Sequence, residues 1–347
     1  MRANNFDLIR FALAGIVVLF HAHALSQSES LAFLPRYFSP DIAVKGFFVV
    51  SGYLILRSWD GSSGPADFSS KRARRIYPAY ATVVLGSAFI GAVVTILPLG
   101  QYFSSHWLGY VGANLSFLNF LAPALPGVFA GNPETAVNGA LWTLKIEVMF
   151  YTLVPALAWL IHRRGAVAVA AALYVASVAY SLGMHHAAEA TGRPIYLALA
   201  HQLPGQLSFF MTGAALYYKE KEVRRWLLPG AAVSIVLLAV GGPFIDLVLQ
   251  PLLLGLTVIY FAVGLPHLGN FGRFGDFSYG MYIIHFPLLQ WMVWNGWFRD
   301  APWTSLLLAC VATLAAAYAM WHLVERRFLL RSSHYVAASL ASAPDLP

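Results

Sequence analysis

The sequence has little charge and almost no cysteine. Only 11% of its 347 residues are Asp, Glu, Lys or Arg, whereas 59% are hydrophobic. This composition excludes a soluble protein with a single anchor and indicates a polytopic membrane protein. The one cysteine, Cys310, lies inside an apolar run, so the fold cannot rely on an intrachain disulfide.

Motifs of several enzyme classes are also missing. The sequence has no Walker phosphate-binding loop, no GxSxG nucleophile turn and no dinucleotide fingerprint. His21 and His23 lie two residues apart and do not share a helix face, so we expect no metal site. The net charge of +7 would suggest nucleic acid for a soluble protein. Here the basic residues cluster in short loops between apolar runs, where they orient the chain in the membrane. We therefore expect membrane lipids and no nucleic acid as partners.

Apolar runs predict an all-α, polytopic membrane helix bundle of about ten transmembrane helices. The runs cover about 6–24, 40–56, 76–98, 140–161, 165–184, 194–217, 227–241, 246–264, 278–297 and 303–323. A further run near 106–122 is shorter and carries Asn114 and Asn119. We expect it to be a re-entrant or interfacial segment, because irregular backbone at membrane depth is tolerated where it lines a cavity.

Loop charge predicts the orientation. Basic residues concentrate in alternate loops, at Arg57 with 71–75, at 162–164, at 219–225, at Arg273 and at 326–331. These loops all lie on the cytoplasmic side if both termini are cytoplasmic, as the positive-inside rule requires. We therefore predict a single transmembrane domain over 1–330, followed by a short, disordered cytoplasmic tail over 331–347.

The first span carries ionisable residues inside an apolar run. Such a side chain facing hydrocarbon costs roughly 2.5–3.5 kcal/mol, so it normally faces a protein interior or a wet cavity. Arg10 and His21 are eleven residues apart, and this spacing of about three helical turns places both on nearly the same helix face. The spacing indicates a buried site with a cation and a near-neutral base. The alternative is an Arg that snorkels to one interface and a His at the other.

A basic cluster, Lys71 to Arg75, leads directly into the third span. It fits the ordinary positive-inside signal, and it also fits a phosphate site, since several cations at a helix start can hold phosphates. Charge alone does not separate these alternatives.

Other spans also contain polar or small residues. In the second span, Ser51 and Gly52 permit close approach of a ligand or of a neighbouring helix. In the fourth span, Glu147 lies at a depth comparable with that of His21 and can orient an imidazole, or it can pair with Lys145 or Lys45. His285 in the ninth span, beside a proline, is typical of a packed, hydrogen-bonded residue.

Taken together, these segments resemble the acyltransferase-3 family of integral membrane proteins, which O-acylate cell-surface carbohydrates and other acceptors. Four motifs match in order. The first is the family signature of an Arg and a His separated by ten residues, here Arg10 and His21, and the second is Phe47–Tyr53. The third is the basic motif Lys71–Pro78, with Lys71 where Arg is frequent, and the fourth is Trp142–Tyr151, with Thr143 in place of Ser. Segments 278–287 and 324–326 also fit. The match spans nearly the whole chain. The chain is similar to stand-alone members of the exopolysaccharide or O-antigen acetyltransferase type.

The resemblance implies transfer of an acetyl or longer acyl group from cytoplasmic acyl-CoA to a hydroxyl of an extracytoplasmic carbohydrate or lipid-linked glycan, in the bacterial inner membrane. His21 would act as the general base, with Glu147 and Arg10 as further catalytic residues. Direct transfer and an acyl-enzyme route both stay open. The alternative function is a transporter or flippase of a lipid-linked sugar, although the inverted repeats common in transporters are not evident.

The same resemblance implies which residues bind the donor. Lys71, Arg72 and Arg75 lie on the deduced cytoplasmic side, where they would hold the phosphates of acyl-CoA. Ser51 and Tyr151 are candidate hydrogen-bond donors to it. The identity of the acceptor cannot be read from the sequence.

Overall fold

The computed structural model describes residues 4–269 and 271–330, and these fold into helices joined by turns and by an irregular stretch over 122–138, with no β-strand in those ranges. The tail predicted over 331–347 lies outside the described residues. The main helices are α1 Phe6–Ser26, α2 Pro40–Asp60, α3 Pro65–Val94, α4 Ser105–Leu115, α5 Trp142–Arg164, α6 Ala166–Thr191, α7 Leu203–Tyr218, α8 Leu227–Val240, α9 Gln250–Ile259, α10 Phe277–Trp294 and α11 Pro302–Met320.

Short helical segments connect or extend these helices. They are Glu29–Leu31, Leu34–Tyr37, Leu99–Tyr102, Asn119–Leu121, Gly139–Leu141, Ile195–Ala200, Glu220–Val223, Arg224–Trp226, Phe271–Phe274, Trp297–Asp300 and Arg326–Phe328. π-Helical turns flank α9, at Ile245–Leu249 and Tyr260–Gly264, and another, Trp321–Glu325, continues α11.

Eight helical segments in the described residues are long and apolar enough to cross a membrane. They are Phe6–Ser26, Glu29–Asp60, Pro65–Val94, Gly139–Arg164, Ala166–Thr191, Glu220–Val240, Ile245–Gly264 and Pro302–Phe328. The other two predicted spans contain α7, of 16 residues, and α10, of 18 residues, which carries the buried polar residues His285 and Gln290. The prediction of a polytopic helical membrane protein is confirmed.

The segment predicted not to cross the membrane forms a short helix. α4 has 11 residues and is followed by a 3-10 turn at Asn119–Leu121. A crossing helix needs about 20 residues, so α4 is too short to span the bilayer by itself. The buried amide of Asn114 donates to the carbonyl oxygens of Tyr110 and Ala122, at 2.9 Å each, and so ties the helix to the chain that follows.

The chain divides into two compact units. In the described residues, the first contains 4–10, 41–69 and 146–269, and the second contains 11–40, 70–145 and 271–330. The boundaries fall within α1, α2, α3 and α5, so these four helices contribute residues to both units, although α2 contributes only Pro40 to the second. The single domain over 1–330 stays a prediction.

Close packing of α2 and α7 is central to the first unit. A Cβ atom at Gly52 would lie 1.9 Å from the carbonyl oxygen of Phe210, and one at Gly213 would lie 2.0 Å from that of Val49. Neither position therefore accepts a side chain. Of the two alternatives for Gly52, the structure gives the close approach of a neighbouring helix, which is the usual role of small residues between membrane helices.

Buried amides hold the loop before α5 against α10 in the second unit. Gln290 is fully buried, and its Nε2 donates to the carbonyl oxygens of Glu134 and Ala136, at 2.8 and 2.7 Å. Asn138 donates to the carbonyl oxygen of Ile283 at 2.8 Å. That carbonyl lacks its usual helical donor, because position 287 is a proline without an N–H. These side chains satisfy backbone groups that a membrane interior would otherwise leave unpaired.

Candidate functional site

Two histidines from distant parts of the sequence form a pair in the second unit. Nε2 of His285, on α10, lies 3.0 Å from Nδ1 of His21, on α1. Nδ1 of His21 also lies 3.0 Å from the carbonyl oxygen of Val17, and Nδ1 of His285 lies 3.1 Å from that of Met281. His285 is fully buried, whereas His21 is partly accessible. The pair therefore joins a buried imidazole to one that other molecules can reach.

Aromatic rings enclose the histidine pair. The rings of Phe20 and Phe286 pack edge-on against His21, with centroids 5.3 and 5.1 Å away. A Cβ atom at Gly139 would lie 2.8 Å from Cζ of Phe286. Because glycine has no side chain, position 139 leaves room for the ring of Phe286. The imidazole of His21 is thus held in a mostly apolar environment.

Hydroxyl groups attach the start of α5 to the helix that carries His285. The oxygens of Thr143 and Tyr282 lie 2.6 Å apart, and both residues are buried. The carbonyl oxygen of Ala140 lies 3.2 Å from the hydroxyl oxygen of Thr143 and 3.3 Å from that of Tyr282. One hydroxyl donates to the other, and the second donates to this carbonyl oxygen. Thr143 stands where the family motif has Ser, and it retains the hydroxyl that makes these contacts.

The basic motif on α3 includes an arginine held by two carboxylates. Nη1 of Arg75 donates to Glu325 at 2.5 Å, and Nη2 donates to Asp276 at 2.5 Å. The two carboxylate side chains are 1% and 2% exposed, so the guanidinium balances charges that water does not reach. Asp276 also accepts a hydrogen bond from the backbone N–H of Ser278 and thereby caps α10.

Lys71 and Arg72 lie on α3 one turn before Arg75. Spacings of four and three residues place both on the same helix face as Arg75. Both side chains are partly accessible. The structure thus brings together the three basic residues that the sequence predicted to bind the donor, and it gives Arg75 two carboxylate partners.

The remaining candidate residues belong to the first unit. The hydroxyl of Tyr151 donates to Oε1 of Glu147 at 2.5 Å, one turn along α5. Lys45 donates to Asp41 at 2.5 Å and to Gln250 at 2.7 Å, so its partner is not Glu147 in the described part of the chain. Arg10 lies on α1, and Ser51 is half-buried on α2.

Sequence reasoning treated His285 as an ordinary packed residue and did not connect it with His21. The available signal was the argument already applied to His21, because an ionisable residue inside an apolar span normally faces a protein interior or a wet cavity. Among the described residues there is no group of three His, Cys, Asp or Glu side chains that could hold a metal ion.

Comparisons with known proteins show the family of this chain. The sequence profile described as "Acyltransferase domain" matches residues 4–322. An O-acetyl transferase of Shigella phage Sf6 is 29% identical over 342 residues, which cover 96% of this chain and 98% of the relative. Nodulation protein 10 of Rhizobium leguminosarum bv. viciae is 27% identical over 367 residues, covering 98% and 97%. No solved structure matches the chain. The profile match extends over most of the chain, which therefore belongs to the acyltransferase-3 family of membrane acyltransferases.

Proposed function

We propose that this membrane acyltransferase moves an acetyl or longer acyl group from cytoplasmic acyl-CoA to a hydroxyl of an extracytoplasmic carbohydrate or lipid-linked glycan. The family and the relative named O-acetyl transferase support O-acyl transfer. The observation that carries the assignment of a catalytic base is the histidine pair, because it presents an accessible imidazole within apolar surroundings in the second unit.

His21 acts as the general base in this proposal. Its free ring nitrogen takes the proton of the acceptor hydroxyl while the hydroxyl oxygen attacks the thioester carbonyl carbon. The carbon–sulfur bond then breaks, and the CoA thiolate takes the proton back from the imidazolium. The products are an ester and free CoA, and the enzyme returns to its starting state. Imidazole suits this exchange because its unperturbed pKa lies near neutrality.

Cations on α3 bind the donor in this proposal. Lys71 and Arg72 hold the phosphates of acyl-CoA, since ammonium and guanidinium groups form strong, charge-assisted hydrogen bonds to phosphate. The two buried carboxylates on Arg75 support a second role for that residue, which is to fix the position of the motif. Ser51 donates a hydrogen bond to acyl-CoA, and Tyr151 does so when its hydroxyl turns away from Glu147.

The family resemblance adds two further catalytic residues to the proposal. Glu147, which accepts the hydroxyl of Tyr151, is one of them. Arg10 binds negative charge on the donor. The alternation of basic loops along the sequence supports an orientation in the bacterial inner membrane with both termini in the cytoplasm.

The assay is transfer of radiolabelled acetyl from acetyl-CoA to carbohydrate in membrane vesicles that contain the acceptor glycan. We expect His21→Ala to lower the rate at least about 100-fold, the scale of general-base catalysis. His23→Ala is the matched control, since it removes the same side chain two positions away on another face of α1, and we expect it to retain transfer. Insertion of both variants is checked by size-exclusion chromatography in detergent. Near wild-type transfer in His21→Ala would remove His21 from catalysis, and glycan movement without label would favour a transporter.

A further inference from the structure

We infer that His285 is a positioning residue that sets the tautomer of His21, so that Nε2 of His21 is the nitrogen that accepts the proton. The inference rests on the proposed function of His21 as general base. It is argued from the atoms that surround the four ring nitrogens of His21 and His285.

The tautomer of His285 follows from the contact of its Nδ1, which faces the carbonyl oxygen of Met281 at 3.1 Å. A carbonyl oxygen has no proton and can only accept, so this contact is a hydrogen bond only if Nδ1 of His285 carries the proton. A neutral imidazole has one N–H. Nε2 of His285 therefore presents a lone pair.

Nδ1 of His21 has two neighbouring acceptors. It lies 3.0 Å from Nε2 of His285, which presents its lone pair, and 3.0 Å from the carbonyl oxygen of Val17. Both neighbours are acceptors, so Nδ1 of His21 must be the donor. In the other neutral tautomer, the lone pair of Nδ1 would face two acceptors and every hydrogen bond at this position would be lost.

The reactive nitrogen is Nε2 of His21. With its proton on Nδ1, neutral His21 carries the lone pair on Nε2. In the part of the chain that the structure describes, the hydrogen bonds of the His21 ring are all at Nδ1, and the residue is partly accessible. A substrate hydroxyl can therefore donate to this nitrogen. The backbone carbonyl of Met281 thus sets the tautomer of His285, and His285, together with the carbonyl oxygen of Val17, sets that of His21.

The same arrangement holds the imidazolium that forms when His21 takes the proton. The bond from Nδ1 of His21 to Nε2 of His285 then has a charged donor, and charge-assisted hydrogen bonds are shorter and stronger than neutral ones. The acceptor is a neutral ring that is fully buried. His285 therefore supports the charged state and keeps the ring of His21 in a fixed orientation through the reaction.

The direct test is ¹⁵N NMR of the full-length protein in detergent, with histidine labelled at both ring nitrogens. The signals of His21 are assigned by their loss in His21→Gln. We expect a protonated Nδ1 and an unprotonated Nε2 in the wild-type protein, and a mixture of the two neutral tautomers in His285→Phe, where the carbonyl oxygen of Val17 alone favours the proton on Nδ1. A protonated Nε2 in neutral wild-type His21, or an unchanged His21 spectrum in His285→Phe, would overturn the inference.

Kinetics separate positioning from packing. We expect His285→Phe to lower kcat between about 10- and 100-fold with the KM for acyl-CoA nearly unchanged, since general-base catalysis contributes roughly 100- to 10,000-fold and His21 itself remains. His285→Gln restores most of the rate, because its amide can accept from His21 and donate to Met281. Equal losses in the Gln and Phe variants, at equal thermal stability, would contradict a role through hydrogen bonding.

The two proposals can fail separately. If His21→Ala retains transfer, the proposed base is wrong, whatever the tautomer. If His21→Ala abolishes transfer but His285→Phe leaves both kcat and the His21 spectrum unchanged, the proposed base stands and the role of His285 is wrong.

Discussion

At the scale of single residues, Arg75 shows how a charged side chain is stabilised within apolar surroundings. Its guanidinium donates to two carboxylates that are almost fully buried, Asp276 and Glu325. Its fork of N–H groups can reach both carboxylates at once, which a single ammonium group cannot do with the same geometry. The cation therefore links α3 to the start of α10 and to the turn that continues α11.

We expect Arg75→Ala to lower the free energy of unfolding by about 3–5 kcal/mol, because removing one partner leaves buried charges without compensation. Arg75→Lys recovers only part of this loss. Thermal unfolding in detergent measures the effect, and Arg74→Ala, at the exposed neighbouring position, is the control. If Arg75→Ala is as stable as Arg74→Ala and only its affinity for acyl-CoA falls, donor binding is the role of Arg75 and the structural role is refuted.

At the scale of elements, the segment before α5 packs against α10 with complementary side chains and hydrogen bonds. Asn138 satisfies the Ile283 carbonyl that Pro287 leaves without a donor. One residue later, Gly139 leaves room for the ring of Phe286, which packs on His21. The backbone before α5 therefore helps to determine the surroundings of the imidazole.

We expect Gly139→Ala to reduce acetyl transfer by about tenfold while the protein still inserts, because small misplacements near a reacting group are costly in rate. The new methyl group would lie 2.8 Å from the ring of Phe286, so that ring, and with it the packing on His21, must shift. Gly131→Ala in the same segment is the matched control, since its Cβ would lie 3.5 Å from Cζ3 of Trp294, an ordinary contact distance. Equal activity in the two variants would show that the fit at Gly139 does not matter for transfer.

At the scale of the whole molecule, the order of apolar segments and basic loops determines how the chain can cross a bilayer. Eight segments in the described residues satisfy the length and hydropathy of a crossing, and α7 and α10 occupy the other two predicted spans. Ten crossings place the basic loops on one side, whereas counting α4 as a further crossing would move Arg163 and Arg164 to the opposite side.

We expect a cysteine at position 101 to react with a membrane-impermeant maleimide from outside the cell, and one at position 63 to react only after permeabilisation. The variants are Gln101→Cys and Ser63→Cys in a Cys310→Ala background, which removes the one native thiol. Both positions are exposed, and they lie after and before the third predicted span. The reverse pattern, or labelling of both from outside, would refute the orientation with cytoplasmic termini.

The sequence by itself determined which segments are helices in a membrane and which family the chain resembles. Long apolar runs have few alternatives in hydrocarbon, since only structures that satisfy their own backbone hydrogen bonds can cross it. The motifs around Arg10, His21 and Lys71 were visible for the same reason, because charged residues in or beside such runs are rare.

Only the tertiary structure decided which side chains meet. His21 and His285 are 264 positions apart, and Arg75 is 201 and 250 positions from its two carboxylates. Helical periodicity fixes which residues share a face, but not which helix packs against that face. That choice depends on fit between surfaces, as at Gly52 and Gly213, where two backbones approach within the space that a single methyl group would fill.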